Sequence, residues 1–436
     1  MSFSVHGKNV TVIGAARSGL AAARLLAARG AHVTLTDVSP RLDGSGEEAE
    51  LRRAGIRLEL GSDGATDPAS TDLVVVSPGV ALDRPPIVAA RKAGVPVVGE
   101  IELASRWLNG RIVAITGTKG KSTTTTLTGR MFDEGGLRAV IGGNIGTPLS
   151  SQVADSTPET FHIVEVSSFQ LETTETFHPW IAVLLNLSSD HLDRHGSMQA
   201  YGAAKARIFA NQTPDDWAVI NADDPQTLAL AQQGRAKKVF FSAATPLVPL
   251  SSIRLIGRHL FSDVMAAAAV ARIAGVSDVA VLRAVESFTG LEHALEVVAT
   301  VDGVRFVNDS KATNIEAARQ AIEAFDGRLV VIMGGRFKSG DFSVLGAPLQ
   351  SRGAAVVAIG EAIPLIRQAL DGLVPVHTAP SMAAAVRLAF ELSPAGGTVV
   401  LAPACASFDM FRDYAERGRT FKEEVAKLPK ENTRER

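Results

Sequence analysis

RIVAITGTKGKSTTT, Arg111–Thr125, is the stretch on which the reading of this chain turns. Arg111–Thr116 is a short β-branched run, Gly117-Thr118-Lys119-Gly120-Lys121-Ser122 is a glycine-punctuated loop, and a threonine-rich helix is predicted to start at Thr123. Glycines let backbone N–H groups turn inward onto a phosphate, Lys121 adds a point charge, and Ser122 can reach a divalent cation. The usual form of such a loop has a glycine five residues before the Gly-Lys pair. That position is Ile115 here, so the match is to a shortened loop, GTKGKST, with ATP or GTP as the expected ligand.

Strand-then-helix units recur on both sides. Upstream, Lys8–Gly14 is a β-branched run ending in glycine, Gly19–Arg29 is helix-periodic, and Ala31–Thr36 and Leu73–Val76 read as strands, the latter running into Ser77-Pro78-Gly79. Downstream, strands are predicted at Phe161–Val166, Ile181–Leu187 and Ala218–Asn221, with an alanine-rich helix over Phe261–Ala274. After Gly290 a third unit repeats the theme, with strands at Val304–Asn308, Leu329–Met333, Ala355–Ile359 and Thr398–Leu401. Such alternation predicts doubly wound parallel sheets. The 436 residues agree with three domains. A 46% hydrophobic share with 21% charged residues is globular. Lys+Arg 44 against Asp+Glu 46 leaves no basic excess for nucleic acid or anionic lipid. Cys405 stands alone, so no intramolecular disulfide can form. The opening MSFSVHGKNVTVIG lacks a basic segment followed by a long apolar stretch, and no apolar run reaches the ~18 residues of a spanning helix. The expectation is a cytoplasmic protein with no membrane partner, whose charged tail Lys427–Arg436 frays.

Further polar clusters fall at predicted strand ends. Gly14-Ala15-Ala16-Arg17-Ser18-Gly19 occupies the place of a dinucleotide fingerprint, but Ala16 replaces the glycine that admits a pyrophosphate. An anion site at the helix start and a tight turn without ligand both remain open. Glu165 sits in a hydrophobic strand, where an ionised carboxylate needs a cation or donor. Asn186-Leu187-Ser188-Ser189-Asp190-His191 ends another strand beside it in the pattern. Lys205, in Tyr201–Phe209, reads only as a solvated or snorkelling cation. Asn308–Asn314, Gly334–Lys338 and Cys405-Ala406-Ser407 close three strands of the last unit and are expected to line one face, with Cys405 packed and inert.

Together these residues resemble the ATP-dependent Mur ligase family of bacterial cell-wall synthesis. The resemblance runs through GTKGKSTTT (Gly117–Thr125), GGNIG (Gly142–Gly146), EVSSFQLE (Glu165–Glu172), DHLDRH (Asp190–His195), YGAAKARIF (Tyr201–Phe209), NDSKATN (Asn308–Asn314) and APACASFD (Ala402–Asp409). The last two blocks look like the branch that adds D-glutamate to UDP-N-acetylmuramoyl-L-alanine. The resemblance implies an α/β chain of three domains: a Rossmann-like UDP-substrate domain over residues 1–105, a central P-loop ATPase with a mainly parallel sheet over 106–295, and a C-terminal Rossmann-like amino-acid-binding domain over 296–436. It implies ATP, two Mg²⁺ ions and a monomer. By the same resemblance, ATP is expected to phosphorylate the substrate carboxylate and the amine of D-glutamate to attack the acyl phosphate. The implied catalytic set is Lys121, Glu165, His191 and Lys205, the lysine carbamylated, with Ser122, Glu165, His191 and Lys205 toward metal. ATP falls to Gly117, Thr118, Lys119, Gly120, Lys121, Ser122, Thr123, Asp263 and Asp309. The UDP-sugar falls to Ser18, Gly19, Asp37, Ser77, Gly79, Asn144 and His191, and D-glutamate to Lys311, Thr313, Lys338, Ser407 and Tyr414.

Three positions depart from the family pattern. Asp263 stands where an asparagine would meet adenine, and an ionised carboxylate can accept from N6 but cannot donate to N7. Ala294 stands where an arginine normally meets the nucleotide. Gly335-Arg336-Phe337-Lys338 replaces the usual glycine-aspartate-lysine order. A ligase for another amino acid or sugar nucleotide, and a nucleotide-binding regulator without turnover, therefore stay open as alternatives. Intact Lys121, Glu165, Lys205 and His191 argue against the regulator.

Overall fold

The β-branched runs form the strands expected of them in a computed structural model that describes residues 3–42, 46–62, 70–232, 234–255, 257 and 260–428, the side chain of Asp193 excepted. The chain divides into two units, Met1–Ile253 with Phe261–Glu286, and Arg254–Leu260 with Ser287–Arg436.

The first unit holds two parallel sheets. β1 (Asn9–Ile13), β2 (His32–Asp37), β3 (Arg57–Leu60), β4 (Leu73–Val76) and β5 (Val97–Gly99) lie in the order β3-β2-β1-β4-β5. Chain direction across this sheet reverses between β1 and β4, and a crevice opens at the carboxyl ends of strands at such a switch. The second sheet comprises β6 (Arg111–Thr116), β7 (Ala139–Gly143), β8 (Phe161–Glu165), β9 (Ile181–Leu184), β10 (Trp217–Asn221) and β11 (Lys237–Phe241), ordered β11-β10-β9-β6-β8-β7. β6 lies between β8 and β9, with Ile115 level with Glu165 and Thr116 level with Leu184. Val113, Ala114 and Ile115 are fully buried, as a central parallel strand covered on both faces requires. The alanine-rich helix Leu260–Ile273 is buried from Asp263 to Ala271, apolar on every side after its first turn.

The second unit carries β12 (Glu296–Val301), β13 (Val304–Asn308), β14 (Leu329–Gly334), β15 (Ala355–Ile359), β16 (Val376–Thr378) and β17 (Thr398–Leu401), ordered β12-β13-β17-β14-β15-β16. Only the β12–β13 pair is antiparallel, so this sheet is mixed. β13, β17 and β14 are neighbours, which brings the loops after them side by side.

Every strand that the hydrophobic pattern left unread, β3, β5, β7, β11, β12 and β16, lies at a sheet edge. The helix after the phosphate loop begins at Lys121, two residues before the expected Thr123. No helix among the described residues is long and apolar enough to cross a membrane. Residues 429–436 of the tail, and Arg258 and His259 of the GRHLFSD block, lie outside the described residues.

Candidate active site

The phosphate loop closes β6 with Gly120 at φ +80°, a left-handed conformation that glycine adopts without a Cβ penalty, and the helix Lys121–Glu134 opens with no side chain capping it. Its geometry is set from the neighbouring strand. Asn186, past the end of β9, accepts from Thr118 N (3.1 Å) and Lys119 N (2.9 Å) through Oδ1 and donates to Lys119 O (3.1 Å). Thr118 Oγ1 reaches Ser188 O (3.2 Å) and the Tyr201 hydroxyl (3.2 Å). Thr118 and Lys119 thus direct their backbone N–H groups to Asn186, and the anion-facing end of the loop is left to Gly120, Lys121, Ser122 and Thr123.

Two lysines converge on one carbonyl. Lys121 Nζ donates to Gly117 O (3.0 Å) and Thr118 O (2.9 Å), and Lys205 Nζ donates to Gly117 O (2.8 Å). Lys205 is 1% exposed. Burial, reinforced by the charge of Lys121 and opposed by Asp190 and Glu165, brings its amine down to about 7. The helix Met198–Ala206, capped by Ser197, points this lysine inward, so its expected role as a solvated cation does not hold.

Glu165 ends β8. Its Oε1 accepts from Asn144 Nδ2 (2.7 Å), while Oε2 is buried without a partner. An orphaned carboxylate oxygen beside a phosphate loop fits a divalent cation, which would satisfy it. Ser122 opens the adjacent helix. Among the described residues no three His, Cys, Asp or Glu side chains form a metal cluster. His191 adopts φ +52° and is half exposed, its ring 4.8 Å from Phe169 and Nε2 3.6 Å from Asp190 Oδ2.

Asp263 lies under the same loop, 4% exposed, its carboxyl so close to Gly120 that a Cβ there would collide with it. Burial raises its pKa to about 7, against the pull of Lys121.

At the switch between β1 and β4 lies a cleft of about 640 Å³, lined by Ser18, Asp37, Ser77, Gly79 and Asn144, with Arg17 and Arg84 adding cations that pattern reading did not select. The uncapped helix Arg17–Ala28 begins beside it. Gly19 is not among the lining residues of the cleft, and a Cβ there would strike Gly14 O and Ser77 Oγ. Both oxygens of Asp37 already accept backbone N–H groups, from Ala15 (2.6 Å) and Ser39 (2.8 Å).

In the second unit, Lys311, Thr313, Lys338 and Ser407 sit on the loops after β13, β14 and β17, and Tyr414 opens the helix Tyr414–Ala426. Arg336 and Ala406 exchange backbone hydrogen bonds (2.9 and 3.0 Å), and Ala404 N donates to Ala312 O (2.9 Å). Beneath these loops Arg417, 1% exposed, donates to Ser310 Oγ (2.9 Å), Ser310 O (2.9 Å) and Cys405 O (3.1 Å); burial brings its pKa down to about 10. Cys405 is buried, and burial pushes its thiol up to about 12, as an inert packed cysteine requires. Arg336 is held by Glu361 through two contacts of 3.1 Å, whereas Lys338 is exposed. Asp309, 9% exposed, accepts from Leu295 N (3.2 Å), and burial raises its pKa to about 7. Ala294 lies in the turn before it. In the same turn as Ala294, His293, which the sequence pattern gave no role of its own, is buried with Nδ1 2.9 Å from Asn308 Nδ2.

The Mur ligase MurD-like N-terminal domain matches residues 8–99, the Mur ligase middle domain 115–249, and the Mur ligase glutamate ligase domain 295–405. The chain belongs to the Mur ligase family. One relative, the UDP-N-acetylmuramoylalanine--D-glutamate ligase of Acidobacterium capsulatum, is 45% identical over 97% of this chain and 96% of its own length. The protein of the same name from Anaeromyxobacter dehalogenans is 44% identical over 96% and 97%. The Mur ligase fold is shared with MurF ligase from Thermotoga maritima (TM-score 0.60, 16% identity, 97% of this chain and 96% of that one). The UDP-N-acetylmuramate-alanine ligase of the same organism gives 0.58 at 18% identity over 96% and 99%.

Proposed function

We propose that this Mur ligase joins D-glutamate to UDP-N-acetylmuramoyl-L-alanine at the expense of ATP, in peptidoglycan precursor synthesis. The observation that carries the reading is the end-to-end match, 45% identical over 97% of the chain, to a relative bearing that name. The proposed division is a UDP-substrate domain over residues 1–105, an ATP-binding domain over 106–295 and an amino-acid domain over 296–436, in a cytoplasmic monomer.

Phosphoryl transfer onto a carboxylate brings two anions together and needs fixed positive charge at the transferring group. Lys121 leaves the loop carbonyls for the incoming phosphate, and the N–H groups at the start of Lys121–Glu134 face it. Glu165 and Ser122 would hold one Mg²⁺, and His191 with carbamylated Lys205 a second; bound there, the ions neutralise the developing charge. Carbamylation suits an amine depressed to about 7, because an appreciable neutral fraction exists near neutral pH. The ammonium first gives up a proton, the nitrogen lone pair of the neutral amine adds to carbon dioxide, and a second proton leaves that nitrogen, so a cation crowded against Lys121 is replaced by an anion. Lys311 and Lys338 are assigned to the two carboxylates of D-glutamate, with Thr313, Ser407 and Tyr414 around them. The free amine attacks the acyl phosphate, and the tetrahedral intermediate expels phosphate.

The test is phosphate release by purified protein with ATP, Mg²⁺ and UDP-N-acetylmuramoyl-L-alanine, comparing D-glutamate, L-glutamate and no amino acid. Release that requires both the UDP substrate and D-glutamate is the expected result; release with another amino acid, or none under any combination, refutes the assignment.

A further inference from the structure

Arg194 lies in the short helix Leu192–His195, after the second sheet's β9, yet two of its three side-chain hydrogen bonds reach the turn after the first sheet's β4. Nη1 donates to Pro78 O (3.1 Å) and Nη2 to Val80 O (3.3 Å), in the turn after β4 that lines the 640 Å³ cleft. Nη2 also meets Glu172 Oε2 (3.0 Å), and the guanidinium lies 4.2 Å above the ring of Phe169. The side chain is 18% exposed, so these contacts are little screened.

The contacts continue from Glu172. Its Oε1 lies 3.2 Å from His195 Nδ1, and His195, 2% exposed, places Nε2 3.0 Å from Ser168 Oγ. The His195 ring stacks on Phe169 and meets Tyr201 at 5.1 Å. The Tyr201 hydroxyl reaches Thr118 Oγ1 in the phosphate loop, and Lys205 Nζ sits 4.7 Å from the Tyr201 ring. An unbroken run of buried or half-buried contacts therefore joins the Pro78–Val80 turn to the loop Gly117–Gly120.

We infer that Arg194 is a positioning residue that couples the two ligand sites of the first unit: through Glu172, His195 and Tyr201, occupancy of the cleft beside Pro78–Val80 tightens nucleotide binding at the phosphate loop, and the reverse. The inference rests on the ligase reading for the identity of the two ligands. A carbonyl turn held by a guanidinium on another sheet cannot shift without moving that guanidinium, and Arg194 shares Glu172 with His195. Coupling of this kind must be reciprocal, and spatial continuity is only its prerequisite, so it has to be measured as a free energy.

The experiment titrates Mg²⁺ with the non-hydrolysable analogue AMP-PNP into the full chain by calorimetry, with and without UDP-N-acetylmuramoyl-L-alanine, and then in the reverse order. In the unmodified protein each ligand is expected to tighten the other about 5-fold or more, the lower end of typical allosteric coupling. In Arg194→Gln the factor falls to about 1 while each ligand alone binds within about 3-fold of the unmodified protein. Arg194→Lys, which keeps the charge and one donor direction, lies between. Tyr201→Phe removes only the hydroxyl contact to Thr118, at the other end of the same run, and lowers the factor should Arg194→Gln fail to fold. A factor near 1 in the unmodified protein, an undiminished factor in folded Arg194→Gln, or, should that variant not fold, an undiminished factor in Tyr201→Phe overturns the inference. Coupling lost in the variants with no D-glutamate-dependent turnover in any protein would sustain it and overturn the ligase reading alone.

Discussion

Replacing Asp263 with asparagine should stabilise this protein, and by an amount that depends on pH. The carboxyl is 4% exposed and rises from 3.8 to about 7, because burial disfavours its charged form more than Lys121 favours it. In the unfolded chain it ionises near 3.8. Between these values the folded state binds the extra proton, so stability falls by roughly 1.4 kcal/mol for each step of one in pH until the folded group has also ionised. The penalty is absent well below 3.8 and complete above about 7, where the rise from 3.8 to about 7 corresponds to ~4 kcal/mol. Asparagine has nearly the same shape and no charge to bury. Its advantage should be ~4 kcal/mol near pH 8 and ~1.5 kcal/mol near pH 5. At roughly 2–4 °C per kcal/mol for a unit of this size, the gain in Tm should be on the order of 5–10 °C larger at the higher pH. Thermal unfolding of both proteins at the two pH values measures this directly. A Tm difference independent of pH would show that Asp263 does not change charge in this range, and the account of its burial would be wrong.

Glu165→Gln keeps the acceptor for Asn144 but removes the charge at the unpartnered Oε2; phosphate release should drop by about 10²-fold with Tm little changed, and undiminished release would remove Glu165 from the reaction. Gly120→Ala must adopt φ +80° and push against Asp263, so it should lose roughly 1–2 kcal/mol in conformation alone and weaken AMP-PNP binding; unchanged affinity in calorimetry would refute the loop assignment. Lys205→Ala should abolish turnover, with partial recovery in formate or acetate, and turnover insensitive to the substitution would dispose of the carbamate. Arg417→Met strips donors from Ser310 and the Cys405 carbonyl, and should destabilise the second unit by ~3 kcal/mol or more while raising the KM for the amino acid; a denaturation midpoint equal to that of the unmodified protein would contradict this.

Reading strands from apolar runs succeeded where both faces of a strand are buried, as in Val113-Ala114-Ile115 or Val330-Val331-Ile332. It failed at Lys237–Phe241 and Glu296–Val301, whose residues are largely exposed or half buried and carry no continuous apolar signal. The candidate site divides in the same way. Its chain-local parts were legible: the phosphate loop at Gly117–Ser122, the carboxylate ending β8, and the polar ends of β13, β14 and β17. Roles that depend on a partner far along the chain were not. Asn186 acts on a loop 67 residues upstream, and nothing about an isolated asparagine after a strand announces that. His293 and Arg417 look like surface residues in sequence and are buried hubs in the fold.

By itself, then, the sequence determined which strands are central, which strand ends carry polar chemistry and which family the motifs resemble, because periodicity, glycine conformations and short motifs are properties of neighbouring residues. Only the tertiary structure decided that Lys205 is buried against the Gly117 carbonyl, that Glu165 keeps one oxygen without a partner, that Asp263 sits beneath Gly120, and that Arg194 crosses from one sheet to the turn of another. Burial and charge proximity depend on which strands and helices pack together, and that choice is made by the whole core at once.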